Sequence, residues 1–337
     1  MKAVVLPEIG GPEKLEIREV ETPQPGNGEV RVKLKTSALN RRDYWMTVGK
    51  YPGTTLPCTA GSDGAGVIDA VGPGGDESLL GKEVVVYPAR AWGDEEHRYG
   101  PDFRVLGMPD QGTFAEYICI PDTDFLDKPS HLSWEQTAAI PLAGLTSWRA
   151  LVTHGEVQAG QKVLVTAAGS GVSTFAIQWA AALGAKVYVT SGSQGKIDKA
   201  KTLGAVNGVS YREEGFTNTL KEMAGGFDII IDSAGGDDMN AVLSTLVNGG
   251  RYIFFGATLG NPSMGLEMAK NFLRHIRIQG TTMGSPAEFA AMFDFVNKHR
   301  IEPLIHDVLP MDEAVAAHKL LESFGQAGKI VLRNEAD

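Results

Sequence analysis

The chain has 337 residues, a formal net charge of -10 at pH 7, and 43% apolar and 21% charged residues. One hydrophobic core rarely serves so long a chain, so we expect two domains. The charge of -10 argues against a nucleic-acid partner, whose affinity would come mainly from clustered Lys and Arg. No apolar run approaches the ~20 residues of a membrane span, and the N-terminus does not read as a signal peptide. The sequence predicts a cytoplasmic protein with no nucleic-acid or membrane partner.

Cysteine usage agrees with that location. The chain contains two cysteines, Cys58 and Cys119. Two cysteines cannot build a disulfide framework or a Cys-rich zinc site. We expect both to be free thiols in a reducing compartment.

The first part of the chain reads as short strands. Residues 29–34 alternate apolar and polar side chains, and residues 82–87 (KEVVVY) and 113–120 (TFAEYICI) have the same character. Glycine-rich turns separate these runs. The pattern predicts a β-rich domain with bends and bulges.

A different rhythm begins near residue 160. Segments with helical periodicity alternate there with six short apolar runs, at residues 162–166, 186–190, 207–211, 228–232, 251–256 and 276–281. The clearest helical segment begins at Val172 and places its apolar residues on one face. Apolar strands alternating with helices indicate a parallel sheet covered on both faces. We therefore predict an α/β fold with a six-stranded parallel Rossmann-type sheet.

The chain after residue 280 departs from this rhythm. A helix is predicted over 286–299, with Ser285 as its cap and Pro286 in its first turn. The last elements, at 311–323 and 328–333, are predicted to return to the first domain. We place the dinucleotide-binding domain at 130–279 and the split domain at 1–129 and 280–337.

A glycine-rich turn joins the first strand of the array to its first helix. Such a turn aims backbone N–H groups and the positive helix end at an anion. The strict G-x-G-x-x-G pattern is not met, because Ser173 stands where the last glycine is usual. In this context the turn predicts binding of a dinucleotide pyrophosphate. The residues predicted to bind it are Ala168, Gly169, Ser170, Gly171 and Val172.

The end of the second strand favours NADPH over NADH. NAD enzymes usually place a carboxylate there for the ribose 2′-hydroxyl. This chain has Ser191, Ser193 and Lys196 and no carboxylate. Two hydroxyls and an ammonium would instead hold a 2′-phosphate. The alternative is that Lys196 is a solvated residue at the start of a helix.

With these motifs placed, the chain resembles the medium-chain dehydrogenase/reductase superfamily, and within it the zinc-free quinone oxidoreductases related to zeta-crystallin. The resemblance spans nearly the full length, in blocks at 56–72, 112–117 and 138–151 and through the glycine turn. It implies a GroES-like fold for the split domain and a Rossmann fold for the other. It also implies a homodimer, which we expect to form through an edge strand at 251–256.

Zinc enzymes of this superfamily bind a catalytic metal through Cys, His and Cys. The corresponding positions here are Asn40, Ser62 and Leu142, which cannot supply thiolate and imidazole ligands. The region 87–112 also lacks the four cysteines of a structural zinc lobe. Metal chemistry is therefore not carried over. His97, beside three carboxylates, is read as part of a solvated acidic loop.

The resemblance assigns site residues. Asn40 and Asp43 match an N-x-x-D segment beside the nicotinamide, and Tyr44 and Tyr51 match loosely the tyrosines suggested to contact quinones. We take these four as candidate catalytic residues. The further residues matched to the cofactor site are Asn40, Thr146, Tyr211, Phe255, Gly256 and Ala257.

The predicted activity is zinc-independent reduction of a quinone, enone or similar small carbonyl by hydride transfer from NADPH. Without a Lewis acid, hydrogen-bond donors must support the developing oxyanion. Candidate donors are Asn40, Tyr44, Tyr51, and Arg41 or Arg42. The alternatives are an enoyl-thioester or alkenal reductase, a non-catalytic NADPH-binding protein, and a zinc alcohol dehydrogenase with displaced ligands.

Overall fold

A computed structural model describes residues 1–334, which form two units. Among these residues, the first unit comprises 1–143 and 285–334, and the second comprises 144–284. The sequence-based division at 129/130 and 279/280 lies within 14 residues of these limits. The first limit falls later in the chain because the helix at Trp134–Ala138 packs on strands of the first unit.

The first unit is rich in short strands. Its strands are β1 (Lys2–Leu6), β2 (Glu16–Glu19), β3 (Glu29–Ala38), β4 (Cys58–Thr59), β5 (Asp63–Val71), β6 (Glu83–Val86), β7 (Ala89–Arg90), β8 (Arg104–Val105), β9 (Tyr117–Pro121), β10 (Phe125–Asp127), β17 (Ile305–Pro310) and β18 (Lys329–Arg333). Its helices are α1 (Arg41–Thr47), α2 (Trp134–Ala138), α9 (Pro286–His299) and α10 (Ala314–Glu322), with 3₁₀ turns at Pro12–Lys14, Glu77–Leu79 and Met311–Glu313. Helix α3 (Pro141–Trp148) and a π-helical turn (Arg149–His154) lead into the second unit.

A seven-stranded sheet organises the first unit, in the order β10-β6-β5-β3-β18-β17 with β9 also paired to β3. Strand β3 alternates half-buried and buried residues, and its buried side chains Val30, Val32 and Leu34 enter the core. Strand β18 pairs antiparallel with β3, so the C-terminal segment returns to this unit, as predicted. That return places Lys329 next to residues from the N-terminal third of the chain.

The second unit is a parallel sheet with helices. Its elements are β11 (Lys162–Val165), α4 (Gly171–Ala182), β12 (Lys186–Ser191), α5 (Gln194–Thr202), β13 (Ala205–Ser210), α6 (Phe216–Ala224), β14 (Phe227–Asp232), α7 (Met239–Leu243), β15 (Leu246–Phe254), α8 (Met268–Leu273) and β16 (Arg277–Gly280). The strand order is β13-β12-β11-β14-β15-β16, and every pair is parallel. This doubly wound order confirms the predicted fold. It also places a topological switch point between β11 and β14, where ligands bind in such sheets.

The predicted edge strand is wrong. Residues 251–254 lie in β15, which is paired on one side with β14 and on the other with β16. The edge of the sheet is β16, at Arg277–Gly280. The apolar character of residues 251–256 therefore reflects burial between two strands, which apolarity alone could not distinguish from an interface.

Helix α7 ends at Leu243, because the chain turns at Ser244 and Thr245 and then enters β15. The helix at 286–299 is confirmed at both ends, with Ser285 and Glu288 forming a reciprocal capping box. No helix within residues 1–334 has the length and apolarity needed to cross a bilayer.

Candidate functional site

The first candidate centre lies at the N-terminus of α1. Asn40 precedes the helix, and its backbone N–H donates to the Asp43 carboxylate at 2.8 Å, which fixes the first turn. Asn40 is 6% and Asp43 1% exposed. Burial raises the pKa of Asp43 to about 6, while the nearby Arg42 guanidinium acts in the opposite direction. The structure thus places the predicted Asn40 and Asp43 together in a water-poor environment.

A buried ion pair surrounds the Asn40 carboxamide. The Lys329 ammonium donates to Asn40 Oδ1 at 2.6 Å and to Asp63 Oδ2 at 2.9 Å. Asn40 Nδ2 donates to the same Asp63 oxygen at 2.9 Å. The other Asp63 oxygen accepts the backbone N–H of Leu142 at 2.8 Å. Strands β5 and β18 and the start of α3 therefore meet at Asn40.

The positions matched to zinc ligands do not form a metal site. Asn40 is engaged with an ammonium and a carboxylate, Ser62 Oγ donates to the Leu106 carbonyl at 2.8 Å, and Leu142 contributes only its backbone. Within residues 1–334, no group of three or more His, Cys, Asp or Glu side chains is placed to hold a metal ion. An ammonium is a poor neighbour for a metal cation, so these residues do not fit catalytic zinc.

The side chains of the two arginines of α1 donate hydrogen bonds to other residues of the protein. Arg41 donates to the backbone carbonyl of Leu321, and its guanidinium lies 4.1 Å from the centre of the Phe324 ring. Arg42 Nη1 donates to Ser62 Oγ and to the Leu106 carbonyl, each at 2.7 Å. Both arginines therefore serve the packing of α1 in this structure.

The two candidate tyrosines lie in different surroundings. The Arg42 guanidinium lies over the Tyr51 ring, 4.7 Å from the ring centre. The Tyr44 hydroxyl instead donates to Glu322 on α10 at 3.2 Å. Tyr51 therefore packs against α1, whose first turn follows Asn40, whereas Tyr44 is bonded to α10.

The glycine turn forms the second candidate centre. Ala167 and Gly169 have φ values of 52° and 109°, which turn the chain sharply after β11. Ser170 Oγ caps α4 by accepting the Ser173 N–H at 3.1 Å, and Ser173 Oγ donates to the Thr166 carbonyl at 2.9 Å. Ser173 thus ties the helix to the strand, where a glycine is more usual. The first N–H groups of α4, beginning at Gly171 and Val172, have no partner within the helix and can bind an anion.

Lys196 lies over this turn. A Cβ added to Gly169 would fall 2.8 Å from Lys196 Cδ, so the lysine stem passes directly over the glycine. Ser191 is buried with its hydroxyl bonded to the Ala168 carbonyl at 3.3 Å, and Ser193 is exposed before α5. The residues predicted to surround a 2′-phosphate therefore lie beside the predicted pyrophosphate turn.

Arg212 adds a second cation that the sequence reasoning missed. A Cβ on Gly192 would fall 2.6 Å from the Tyr211 hydroxyl and 3.0 Å from Arg212 Nε, so both side chains cross the Gly192 backbone. Tyr211 and Arg212 are exposed. The sequence signal for Arg212 was its position, two residues after the third strand and at the same edge of the parallel sheet.

Asp232 is a further missed residue, at the end of β14. Its carboxylate accepts the hydroxyl of Thr166, the hydroxyl of Tyr252 at 2.5 Å, and the backbone N–H groups of Ala234 and Gly235 at 3.2 and 2.9 Å. Burial, together with the neighbouring Asp232 carboxylate, raises the pKa of the Tyr252 hydroxyl. Asp232 thereby fixes the loop after β14 at the switch point.

The other predicted cofactor residues lie in the second unit. The Phe255 N–H donates to the Asp232 carbonyl at 3.0 Å, so residues 255–257 continue from β15 beside that loop. Thr146 is buried in α3. No cofactor contact of these residues is tested by the structure, and their roles stay predictions.

The cysteines offer no nucleophile. Cys58 and Cys119 are both free, as predicted. Burial raises the pKa of each thiol to about 11, so both are protonated near neutral pH. They line a cavity of about 560 Å³ that does not include Asn40 or Asp43 among its lining residues.

A doubly wound sheet with an anion-binding turn, combined with a β-rich unit holding buried polar residues, defines a dinucleotide-dependent oxidoreductase. Two family models match accordingly: the alcohol dehydrogenase GroES-like domain over residues 26–130 and zinc-binding dehydrogenase over residues 171–298. The chain belongs to the medium-chain dehydrogenase/reductase superfamily, as the resemblance predicted.

Individual relatives cover the whole chain. A zinc-type alcohol dehydrogenase-like protein, YogA, of Leptosphaeria maculans is 34% identical, with 94% of each chain covered. Quinone oxidoreductase 1 of Escherichia coli is 30% identical, with 96% of each covered. A crystal structure described as an NAD-dependent alcohol dehydrogenase has a TM-score of 0.94 and 40% identity, covering 99% of this chain and 100% of that one. These relatives support an oxidoreductase, and their names differ in substrate and cofactor.

Proposed function

We propose that this protein is a zinc-independent, NADPH-dependent oxidoreductase that reduces a quinone, enone or similar conjugated carbonyl. The observation that carries the cofactor assignment is the end of β12. Two serines, Lys196 and Arg212 lie there, and residues 191–196 contain no carboxylate. A 2′-phosphate carries nearly two negative charges, which this environment favours and which an acid would repel. The NAD dependence in the name of the 40% identical structure belongs to that protein.

The chemistry follows from the cofactor and from the residues of the first unit. Bound NADPH supplies a hydride. The protein must then stabilise the oxygen on which negative charge develops. Asn40 carries N–H donors in a water-poor environment, and the Tyr51 ring packs on Arg42 of the helix that follows Asn40. A conjugated acceptor needs less stabilisation than an isolated ketone, because its charge spreads over an enolate or a hydroquinone.

Asp43 can take part in proton transfer. Its pKa of about 6 leaves part of the population protonated near neutral pH. One Asp43 oxygen is held by the Asn40 N–H, and the other lacks a hydrogen-bond partner among the described residues. The Asp43 side chain is fully buried, with its second oxygen 3.8 Å from the Arg42 guanidinium, so we propose that it is a buried acid that can hold a proton within the Asn40 turn.

We further propose a homodimer, formed through β16 and not through residues 251–256. Strand β16 has one paired side among the described residues. The adjacent α8 exposes Met268, Phe272 and Leu273, each about two-thirds or more accessible. An open sheet edge next to an apolar helix is a surface that a second copy can cover about a twofold axis.

The activity is tested by an acceptor panel. The protein is treated with a chelator, and NADPH oxidation is followed with quinones, enones, alkenals, enoyl thioesters and simple ketones. We expect turnover of the conjugated acceptors and none of isolated ketones. Turnover only after zinc is added, or only of isolated ketones, would contradict the proposal. Tight NADPH binding with no acceptor consumed would favour a non-catalytic NADPH-binding protein.

A further inference from the structure

Lys329 reaches the Asn40 centre from the far end of the chain. It opens β18, is 2% exposed, and lies 289 residues from Asn40 in sequence. Burial of a lysine is costly unless its charge is paired and hydrogen-bonded. Here Asp63, which is fully buried, provides the charge and Asn40 the second acceptor.

These contacts determine which way the Asn40 carboxamide points. Its oxygen faces an ammonium, which can only donate, and its nitrogen faces a carboxylate, which can only accept. The reversed amide would set an NH₂ group against the ammonium and a carbonyl against the carboxylate. The Lys329–Asp63 pair therefore selects one of two orientations that a carboxamide otherwise adopts with similar shape.

The selected orientation leaves a donor. A carboxamide nitrogen carries two hydrogens, and Asp63 accepts one of them. The ammonium on the amide oxygen also polarises the amide and strengthens the remaining N–H as a donor. No metal is needed to create this donor.

We propose that Lys329 and Asp63 are positioning residues, which hold Asn40 so that its second N–H meets the oxygen of the carbonyl being reduced. The inference rests on the proposed function. In it, an internal ammonium and carboxylate occupy the region where zinc enzymes place their metal ligands. Asn40 is the catalytic residue, and Lys329 acts only through it.

The test removes both charges that orient the Asn40 carboxamide, so that neither charge is left buried without its partner. In the Asp63→Asn/Lys329→Gln protein, two neutral amides replace the ion pair, so the Asn40 carboxamide has no charge on either side. The same pair of substitutions is also made in an Asn40→Ala background. The control is Glu83→Gln/Lys128→Gln, which neutralises another Lys–acid pair of the first unit, 3.6 Å apart.

We expect the neutral pair to lower kcat at least about tenfold with the wild-type Asn40 present, and less than about twofold in the Asn40→Ala protein, because the loss acts through that carboxamide. KM for NADPH should change less than kcat, and the control should keep wild-type kcat. The Lys329→Arg variant, with Asp63 unchanged, retains a buried cation. Its kcat should therefore lie between that of the neutral-pair protein and that of the wild type.

Equal losses in both backgrounds would overturn the proposal, because they would show an effect independent of Asn40. Unchanged kcat in the folded neutral-pair protein would overturn it as well. If the Asp63→Asn/Lys329→Gln protein does not fold, Lys329→Arg is measured in its place, both with wild-type Asn40 and with Asn40→Ala. The same comparison of the two losses in kcat then decides. Absent turnover by the wild-type protein would contradict the proposed function itself, whereas normal wild-type turnover without coupling contradicts only the role of Lys329.

Discussion

The two candidate centres of this protein are built in opposite ways. Around Asn40, the polar groups are buried and bonded to one another, from the Lys329 ammonium to the Leu142 N–H. At the end of β12, Lys196 is half-buried, and Tyr211 and Arg212 are exposed beside a glycine turn. The Asn40 centre is therefore organised before any ligand binds, while the centre at the end of β12 offers backbone N–H groups and cations to a charged ligand.

The largest effect on the free energy of unfolding should come from breaking the buried ion pair at the Asn40 centre. Lys329→Met leaves the Asp63 carboxylate buried without a cation, which we expect to lower the free energy of unfolding by about 3–5 kcal/mol. Lys128→Met is the matched control, since Glu83 is more than half exposed and its pair is worth less than about 1 kcal/mol. Denaturant titration of both variants measures the difference. Equal losses would show that the Lys329 pair is no more important than a surface pair.

A second buried group gives this unit a pH dependence. His318 is fully buried against Phe114, and burial lowers its pKa from 6.5 to about 4. The unfolded chain therefore binds a proton that the fold excludes, and stability from this group is complete above about pH 6.5 and lost as pH falls towards 4. The difference corresponds to about 3 kcal/mol.

The raised pKa of Asp43 acts in the other direction, because the folded protein binds the proton more tightly between about pH 6 and 3.8. Comparing wild type with His318→Leu isolates the histidine. We expect the free energy of unfolding of the variant to fall less between pH 7 and pH 5, by denaturant titration at each pH. The same slope in both proteins would be incompatible with a neutral buried His318.

Substitutions in the centre at the end of β12 should change cofactor binding and not the stability of the fold. Lys196→Ala and Arg212→Ala should each weaken NADPH about tenfold, because each removes a charge-assisted contact worth roughly 1.5–3 kcal/mol. NADH binding should change less than twofold, since it lacks the 2′-phosphate. Lys199→Ala, on the same helix as Lys196 but exposed, is the control. Calorimetric titration of both cofactors measures the effect, and equal weakening of NADH and NADPH would refute the assignment.

The smallest effect concerns association. Phe272→Ser should raise the dimer dissociation constant by about tenfold, because an aromatic side chain at the centre of an interface is worth roughly 1–2 kcal/mol. Phe324→Ser, at an exposed phenylalanine of the first unit, is the control. Light scattering over a dilution series measures both. A monomeric wild-type protein would contradict the proposed dimer. A tighter dimer of Phe272→Ser would show that the interface lies on another surface.

The sequence predicted the second unit better than the first. Apolar runs between helices specify parallel strands directly, so all six were found, together with the glycine turn and Lys196. Asp63 and Lys329 were missed because their pairing depends on β18 returning to β3, a contact between opposite ends of the chain. The position of Asp63 next to Ser62 was the available signal. Strand order also decided the sheet edge, which is why residues 251–256 were misassigned.

We propose that this enzyme is specific for NADPH and works without a metal. The most direct test compares kcat/KM of chelator-treated wild-type protein for NADPH and NADH with the same quinone. We expect activity without added metal and at least a tenfold preference for NADPH. A preference for NADH, or activity that appears only with zinc, would contradict this proposal.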